Sequence, residues 1–132
     1  MNEPGPLVVV AAVIERDGRF LVTRRQPGTH LEGYWEFPGG KCRDGETQEE
    51  SLAREILEEL DTAILNPQKI FETSHVYPDR SVELHFYRCA LAGTPRPLLG
   101  QDLRWVPRSD LGTLQFPPAD AELIGRLASG RA

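Results

Sequence analysis

The chain is poor in cysteine, in long apolar runs and in excess basic charge, and each shortage excludes a class of protein. Its 132 residues include two cysteines, Cys42 and Cys89, which do not provide the disulfide framework of a small secreted domain. Segment 1–18 has no basic region ahead of its short apolar run, so it lacks the composition of a secretory signal peptide. We therefore expect a soluble, cytoplasmic protein in a reducing environment.

No apolar run approaches the roughly 18 residues that a helix needs to cross a bilayer, so we expect no membrane role. The 20 acidic residues outnumber the 15 Lys and Arg residues, which gives a formal net charge of -5. This balance argues against a broad surface for duplex nucleic acid, but a few arginines can still hold a small phosphorylated ligand. With 39% hydrophobic residues and no internal repeat, residues 1–132 are expected to form one domain with a sizeable core.

Apolar and turn-forming residues predict strands on both sides of one central helix. The predicted strands are 7–14, 19–23, 34–37, 69–77, 81–90 and 103–106. An Asp-Gly turn joins the first two, and Pro38-Gly39-Gly40 is expected to end the third. A last amphipathic helix is predicted over about 119–128. The order of strands, helix, strands and helix indicates a mixed sheet covered by helices, in an α+β fold or an α/β sandwich.

The central helix is predicted over about 48–60 and begins with a capping box, in which Thr47 caps the first turn and Glu50 reaches back. Its apolar residues are expected to form one stripe facing the core, made of Leu52, Ala53, Ile56, Leu57 and Leu60. Glu58 and Glu59 follow Glu55 at i+3 and i+4. The three carboxylates are therefore neighbours on the helix surface.

These three neighbouring carboxylates allow two interpretations. A glutamate-rich helix surface is often only a solvated face, here with an ion pair between Arg54 and Glu58. However, the acids follow a Gly-Gly turn and alternate with Lys41, Arg43 and Arg54. Clustered oxygen ligands suit Mg²⁺ or Mn²⁺, and a metal held by few carboxylates keeps positions for water and substrate phosphates. The pattern therefore favours a site for phosphate chemistry.

The acidic segment resembles the signature of the Nudix hydrolases, which cleave nucleoside diphosphates linked to another moiety. The matching residues are Gly40, Glu46 after five residues and, after seven more, the run 54–59. The pattern departs at Asp61 and Thr62, where the family usually has glycine and an aliphatic residue. Because Asp tolerates the left-handed conformation better than most residues, we expect a small loss of stability and no loss of chemistry.

Four further segments are similar to the MutT branch of the family, whose members remove oxidised nucleotides such as 8-oxo-dGTP: 22–25, 35–41, 77–80 and 116–120. The resemblance implies an αβα sandwich and the Mg²⁺-dependent hydrolysis of a nucleoside triphosphate to a monophosphate and pyrophosphate, with Mn²⁺ as an alternative ion. It also implies the metal ligands, which are the backbone carbonyl of Gly39 and the catalytic carboxylates Glu55, Glu58 and Glu59. Glu55 would also act as the general base. Glu46 and Arg54 would form a bracing salt bridge.

The resemblance also implies substrate-binding residues, because Arg24 and Arg80 match family arginines that contact the substrate. Asp120 lies where MutT itself has Asn, and an ionised Asp only accepts hydrogen bonds. A protonated Asp120 would imitate Asn toward 8-oxoguanine, whereas an ionised one would accept from the amino group of cytosine. Alternatively, Asp120 only caps the last helix. Asp102 is a weak substitute for the further acid that some relatives carry just before the residue that matches Trp105.

Two alternatives to hydrolysis of an oxidised purine nucleotide therefore stay open. One is a pyrophosphohydrolase for CTP, dCTP or a modified cytidine triphosphate, and the other is a Nudix-like module that binds a nucleotide without cleaving it.

Four aromatic residues are candidates for the wall of the nucleotide pocket, although aromatics in strands more often belong to the core: Trp35, Phe37, Tyr77 and Phe116.

Overall fold

Eight strands and two α-helices are formed by residues 5–131, the part of the chain that the computed structural model describes. The strands are β1 (Leu7–Val13), β2 (Glu15–Arg16), β3 (Arg19–Arg24), β4 (Trp35–Glu36), β5 (Gly39–Lys41), β6 (Ile64–Tyr77), β7 (Arg80–Leu91) and β8 (Leu103–Pro107). The helices are α1 (Gln48–Leu60) and α2 (Ala121–Ala128), and short 3-10 segments cover Arg108–Thr113 and Pro118–Asp120. None of the helices within residues 5–131 is long and apolar enough to span a bilayer.

Strand β1 lies inside its sheet because all of its residues are apolar and both of its faces can be buried. It pairs antiparallel with β5 and parallel with β7, and β6 completes the order β5-β1-β7-β6. The second sheet is built on β3, which pairs with β2, β4 and β8. Alternate residues of β1 therefore belong to two different hydrophobic cores.

One core lies on the α1 side and the other on the α2 side. The α1 core contains Val10, Ala12, Ile14, Leu21, Leu52, Ile56, Leu60, Tyr87, Cys89 and Leu91. The α2 core contains Ala11, Val13, Phe20, Val22, Trp35, Phe37, Phe86, Val106, Leu111, Leu123, Ile124 and Leu127. This arrangement of helix, mixed sheet and helix confirms the predicted α+β fold with its α/β/α layers.

Helix α1 has the predicted bounds and the predicted capping box. The Glu50 backbone N–H donates to Thr47 Oγ1 at 3.1 Å, and the Thr47 N–H donates to Glu50 Oε1 at 2.8 Å. The predicted apolar stripe is wrong at Leu57, which is 55% exposed, whereas Ser51 is fully buried. Ser51 is buried because the loop before α1 folds over it, and its hydroxyl donates to Glu46 Oε1 at 2.7 Å.

Most predicted strand boundaries are correct to within one residue, and the larger differences lie at β6, β5 and the last helix. Strand β6 begins at Ile64, ahead of Pro67, because an irregularity in the pairing between Leu65 and Gln68 absorbs a residue that has no N–H for the ladder. Residues 39–41 do not simply end a strand, since they pair with β1 as β5. The last helix starts as the 3-10 segment Pro118–Asp120 and becomes α-helical only at Ala121.

Candidate active site

The acidic residues of α1 lie against the two glycines of β5. A Cβ atom on Gly40 would lie 2.4 Å from the Glu55 carboxyl group, so only glycine lets this side chain come so close to the strand. The Gly39 backbone N–H donates a hydrogen bond to the Glu59 carboxylate. The fold thus brings the Gly39 backbone together with two of the predicted ligand carboxylates.

Arg54 contacts two carboxylates of the acid cluster, which consists of Glu55, Glu58 and Glu59. Its Nε donates to Glu46 Oε2 at 3.0 Å, which is the predicted brace, and this guanidinium lowers the pKa of Glu46 to about 2. Its Nη1 donates to Glu55 Oε1 at 2.9 Å and lies 3.4 Å from Glu58 Oε2. Its Nη2 donates to the Lys41 carbonyl oxygen at 3.1 Å. Arg54 therefore offsets part of the charge repulsion and ties the preceding loop to the helix.

Glu59 lies deeper than the other two acids, and its Oε2 atom is buried without a hydrogen-bond partner. Burial, followed by the charges of Glu55, Glu36 and Glu58, raises the pKa of Glu59 to about 8 despite the hydrogen bond from Gly39. The cluster therefore carries more negative charge than its protein neighbours neutralise, and a cation would relieve this repulsion.

The donors of the cluster fit a hard divalent cation. Within residues 5–131, no three Asp, Glu, His or Cys side chains converge on one point, and both Glu55 and Glu58 are turned toward Arg54. Holding an ion would require these two side chains to change rotamer. Glu59 already presents a buried oxygen with no partner. Carboxylate and carbonyl oxygens are the ligands that Mg²⁺ and Mn²⁺ prefer, so the residues present fit either metal.

A cavity of about 570 Å³ opens beside the acid cluster. Its wall includes residues from β1, β4, β5, the β6–β7 hairpin and segment 117–120. Its polar and charged lining includes the side chains of Arg25, Glu36, Glu59, Tyr77, Arg80 and Asp120. Glu59 belongs to both the cluster and the wall, so a ligand in the cavity can extend a phosphate chain to the acids. A volume of this size is in the usual range for a small-molecule site, roughly 300–1,000 Å³.

The structure places only one of the two predicted substrate arginines at the cavity. Arg80 lines it, whereas the Arg24 Nε donates to the Gly33 carbonyl at 3.0 Å and the Arg24 guanidinium lies 5.6 Å from the centre of the Trp35 ring. The next residue, Arg25, lines the cavity in place of Arg24. Neighbouring residues at the end of a strand point in opposite directions, so the pair cannot both reach the cavity. The sequence alone does not show which one does.

Asp120 closes the cavity on the side of α2. It is 3% exposed, and its Oδ1 atom is buried with no hydrogen-bond partner. Its side chain makes no capping bond to α2, so the alternative that it only caps this helix is wrong. Burial, followed by the charge of Glu36, raises the pKa of Asp120 to about 7. Its unpartnered carboxyl group is therefore available to hydrogen-bond a ligand.

Glu36 is a site residue that sequence reasoning missed. It lines the cavity, and its Oε1 lies 2.8 Å from Arg25 Nη1. Burial raises the pKa of Glu36, although the nearby charge of Arg25 lowers it. The sequence did contain a signal for this residue, because Glu36 is a charged residue between two aromatic residues of a predicted strand, Trp35 and Phe37.

Asp102 does not line the cavity, and its carboxylate lies 3.9 Å from the Arg24 guanidinium.

The four candidate wall aromatics divide into two groups. Phe37 and Tyr77 line the cavity. Trp35 is 6% exposed and belongs to the α2 core, and Phe116 packs against Phe37 with 5.4 Å between ring centres. Phe37 and Tyr77 therefore form part of the cavity wall, although Phe37 is only 3% exposed and also belongs to the α2 core, and the other two support the wall from behind.

Comparisons with known proteins agree with this geometry. The family model of the NUDIX domain matches residues 9–126. An 8-oxo-dGTP diphosphatase of Haemophilus influenzae is 38% identical over 124 residues, which cover 92% of this chain and 91% of the relative. A CTP pyrophosphohydrolase of Escherichia coli is 34% identical over 127 residues, covering 94% of this chain and 93% of the relative.

A solved structure of MutT, from a study of the Aliivibrio salmonicida and Vibrio cholerae proteins, has the same fold. It superposes with a TM-score of 0.79 at 26% identity and covers 93% of this chain and 96% of its own. Nudix hydrolases generally depend on a divalent metal ion, which agrees with the donors found on α1. The signature on α1, the layered fold and these similarities lead to one assignment: the chain belongs to the MutT-like branch of the Nudix hydrolases.

Proposed function

We propose that the protein hydrolyses oxidised purine nucleoside triphosphates, with 8-oxo-dGTP as the model substrate, to a monophosphate and pyrophosphate. The observation that carries this proposal is one cavity with an unpartnered carboxyl, Asp120, on its wall and the acid cluster beside it. The similarity to an 8-oxo-dGTP diphosphatase supports it. The activity would remove damaged precursors from the cytoplasmic nucleotide pool. The net charge of -5 favours a free nucleotide over duplex nucleic acid as its substrate.

The proposed metal ligands are the carbonyl of Gly39 and the carboxylates of Glu55, Glu58 and Glu59, which hold Mg²⁺ or Mn²⁺. A bound ion supplies positive charge to the phosphates and lowers the pKa of a water molecule. Glu55 acts as the general base and takes the proton of the attacking water. Before an ion binds, Arg54 holds Glu55 through their 2.9 Å hydrogen bond and Glu46 holds Arg54 in place, so metal binding requires Glu55 to turn away from Arg54.

Arg25 and Arg80 are proposed to bind the substrate from the cavity wall, so Arg25 takes the role expected of Arg24. Both guanidinium groups are permanently charged and can donate to phosphate, sugar or base oxygens. Glu36 orients Arg25 through their 2.8 Å ion pair. Phe37 and Tyr77 would contact the faces of the base.

Asp120 is proposed to select the base. Its pKa of about 7 means that both protonation forms are populated near neutral pH. The protonated form donates its O–H to O6 of 8-oxoguanine and accepts the N7–H with its other oxygen. Unoxidised guanine has no N7–H, so the carboxyl group discriminates between the two bases.

A second candidate substrate, CTP or dCTP, is favoured by the same residue in its other form. Ionised Asp120 accepts a hydrogen bond from the cytosine amino group. The similarity to a CTP pyrophosphohydrolase supports this alternative. A binding module without catalysis is disfavoured, because the three acids of the signature are all retained on α1.

The decisive measurement is a substrate panel of 8-oxo-dGTP, dGTP, dCTP and CTP, assayed with Mg²⁺ and a coupled inorganic pyrophosphatase at pH 6 and pH 8. The proposal expects the highest kcat/KM for 8-oxo-dGTP, with its advantage over CTP decreasing as Asp120 ionises above pH 7. Highest kcat/KM for a cytidine nucleotide at both pH values would establish the second candidate. Nucleotide binding with no hydrolysis of any triphosphate would identify a binding module.

A further inference from the structure

The C-terminal turn of α1 is held by the connector 93–101, which follows β7. The last carbonyl groups of a helix have no partner within the helix, and α1 has no basic side chain in its last turn. The Leu60 carbonyl accepts the Arg96 backbone N–H at 2.9 Å. The Glu59 carbonyl accepts the Leu98 backbone N–H at 3.0 Å. The connector therefore supplies backbone donors to the turn that carries Glu59.

Gln101 adds a second donor to the same carbonyl group. Its side chain is buried, its Nε2 donates to the Glu59 carbonyl oxygen at 3.4 Å, and its Oε1 accepts the Leu99 N–H at 3.0 Å. The carbonyl of the next residue, Asp102, accepts the Arg24 N–H at 3.0 Å, which fixes this end of the connector to β3. Gln101 thus links the second sheet to the last turn of the acidic helix.

Such a link matters because the Glu59 side chain has little support of its own. One of its carboxylate oxygens has no hydrogen-bond partner, and the Gly39 N–H is the hydrogen bond that favours its ionised form. The position of its backbone therefore decides where the carboxylate lies. Partners behind a metal ligand commonly change metal affinity about 10- to 100-fold when they are removed.

We propose that Gln101 is a positioning residue that fixes the backbone of Glu59, so that its carboxylate is presented correctly to the divalent metal ion. This inference rests on the proposed metal site. Gln101 itself touches neither the metal nor the substrate, because it acts through the Glu59 carbonyl. Losing its amide should therefore weaken metal binding far more than it slows turnover at saturating metal.

The test measures Mn²⁺ binding in the absence of nucleotide, by electron paramagnetic resonance of the free ion. Gln101→Met keeps a similar volume but has no amide, and it should raise the Mn²⁺ Kd about tenfold. In Mg²⁺ titrations of activity, the metal concentration for half-maximal rate should rise similarly, and kcat at saturating Mg²⁺ should stay within about twofold.

A matched control comes from the other end of the connector. The Thr62 hydroxyl accepts the Gly93 N–H at 3.0 Å, so Thr62→Val also removes one connector hydrogen bond but none to Glu59. This variant should keep the wild-type Mn²⁺ Kd. Equal weakening of Mn²⁺ binding in Thr62→Val and Gln101→Met would overturn the inference, because the effect would then reflect general loosening of the connector.

A second variant removes the other donor to the same carbonyl. Leu98 occupies the second position of a turn that the Gly100 N–H closes onto the Pro97 carbonyl at 3.1 Å. Proline is favoured at that position, so Leu98→Pro deletes the N–H in a compatible conformation. It should also raise the Mn²⁺ Kd, which keeps the test decisive even if Gln101→Met is poorly folded. An unchanged Kd in both variants would overturn the inference.

Melting temperatures separate positioning from general stability. Positioning predicts that the increase in Tm on adding Mn²⁺ is smaller in Gln101→Met than in the wild type. A purely structural role predicts the same fall in Tm with chelator and with saturating Mn²⁺, and this result would contradict the inference.

Glu59→Gln distinguishes failure of this inference from failure of the proposed metal site. If the wild type binds Mn²⁺, Glu59→Gln does not, and Gln101→Met binds as tightly as the wild type, then only the role of Gln101 is wrong. If the wild type does not bind Mn²⁺, or if Glu59→Gln binds it equally well, the metal site is wrong and the inference falls with it.

Discussion

The acid cluster and the base-binding part of the cavity are assembled in different ways, although they share one wall. The cluster takes its carboxylates from positions 55–59 of a single helix. The cavity takes Arg25, Arg80 and Asp120 from three segments that are far apart in the sequence. Helical spacing alone makes the cluster, whereas only the packing of the hairpin, the strand ends and segment 117–120 makes the cavity.

This difference separates the reaction from the choice of substrate. In the proposed mechanism, a change on α1 acts on metal binding and proton transfer, which every triphosphate substrate needs. A change around Asp120 or Arg25 acts on one base or one contact and leaves the acids untouched. Substitutions in the two regions should therefore produce different kinetic signatures, and four variants test this from the largest expected effect to the smallest.

The largest effect is expected for Glu55→Gln, which removes the proposed general base. Proton transfer by such a group contributes about 10²- to 10⁴-fold, so kcat should fall about 10³-fold for every nucleotide tested. The coupled pyrophosphatase assay measures this loss, and circular dichroism checks the fold. The control is Glu49→Gln, an exposed acid in the first turn of the same helix, which should keep wild-type kcat. A selective loss with one base would contradict the division between the two regions.

A smaller effect is expected for Arg25→Gln, which removes a charge from the cavity wall. Hydrogen bonds to charged groups contribute about 1.5–3 kcal/mol, so kcat/KM should fall about 10- to 100-fold, mostly through KM. Arg24→Gln is the matched control, since Arg24 stacks on Trp35 outside the cavity, and its kcat/KM should stay near the wild-type value. The reverse result would restore Arg24 as the substrate arginine.

Asp120→Asn should change selectivity with little change in the reaction itself. Asn donates and accepts at every pH, so kcat/KM for 8-oxo-dGTP at pH 8 should rise and that for CTP should fall, each by about tenfold. The wild-type preference for 8-oxo-dGTP over CTP should decrease from pH 6 to pH 8, and that of the variant should not. A pH-dependent preference in Asp120→Asn would show that another group controls it.

The same substitution should stabilise the protein in a pH-dependent way. The pKa of Asp120 is raised from 3.8 to about 7 by folding, so the folded state binds a proton that the unfolded state releases above pH 4. Wild-type stability is therefore lost progressively between pH 4 and pH 7, and the Asn variant avoids this loss. The free energy of unfolding, measured with urea, should be higher in Asp120→Asn at pH 8, and this gain should be much smaller at pH 4.

The smallest effect is expected at Asp61, which ends α1 with φ 57° and ψ 36°. Asp61→Gly should raise the free energy of unfolding by about 0.5–1 kcal/mol, because glycine adopts this conformation without strain. The ion pair with Arg96 that is lost is largely exposed and contributes little. Urea unfolding measures the gain, and kcat should not change. Asp61→Ala should instead destabilise the protein, and if it does not, the left-handed cap carries no strain.

Much of the acidic helix could be predicted from the sequence because its determinants are local. The capping box needs only Thr47 and Glu50, and the brace needs only Glu46 and Arg54. Leu57 was misjudged because the part of the helix that is covered depends on the loop folding over Ser51, which helical periodicity does not describe. The resemblance to a known family supplied the rest of the signature.

The cavity was less predictable because its members meet only after folding. Choosing between Arg24 and Arg25 requires the direction of each side chain at the end of β3. The importance of Glu36 follows from its neighbours Arg25, Glu59 and Asp120, none of which is adjacent to it in the sequence. The protonation of Asp120 depends on burial, which a sequence pattern does not quantify.

The close approach of β5 to β1 has a consequence for how the chain finds its native strand pairing. Because both faces of β1 are apolar, the hydrophobic pattern penalises a one-residue slip of this strand only weakly. Gly39 adds a steric restriction on how β5 aligns with β1, since a Cβ atom at this position would lie 2.0 Å from the Val10 carbonyl oxygen. A slipped alignment would bring Pro38 or Gly40 to that narrow place, and proline cannot be accommodated there. Steric exclusion at this place thus rules out the slip that would bring Pro38 there, and it restricts β5 to alignments that place a glycine beside Val10.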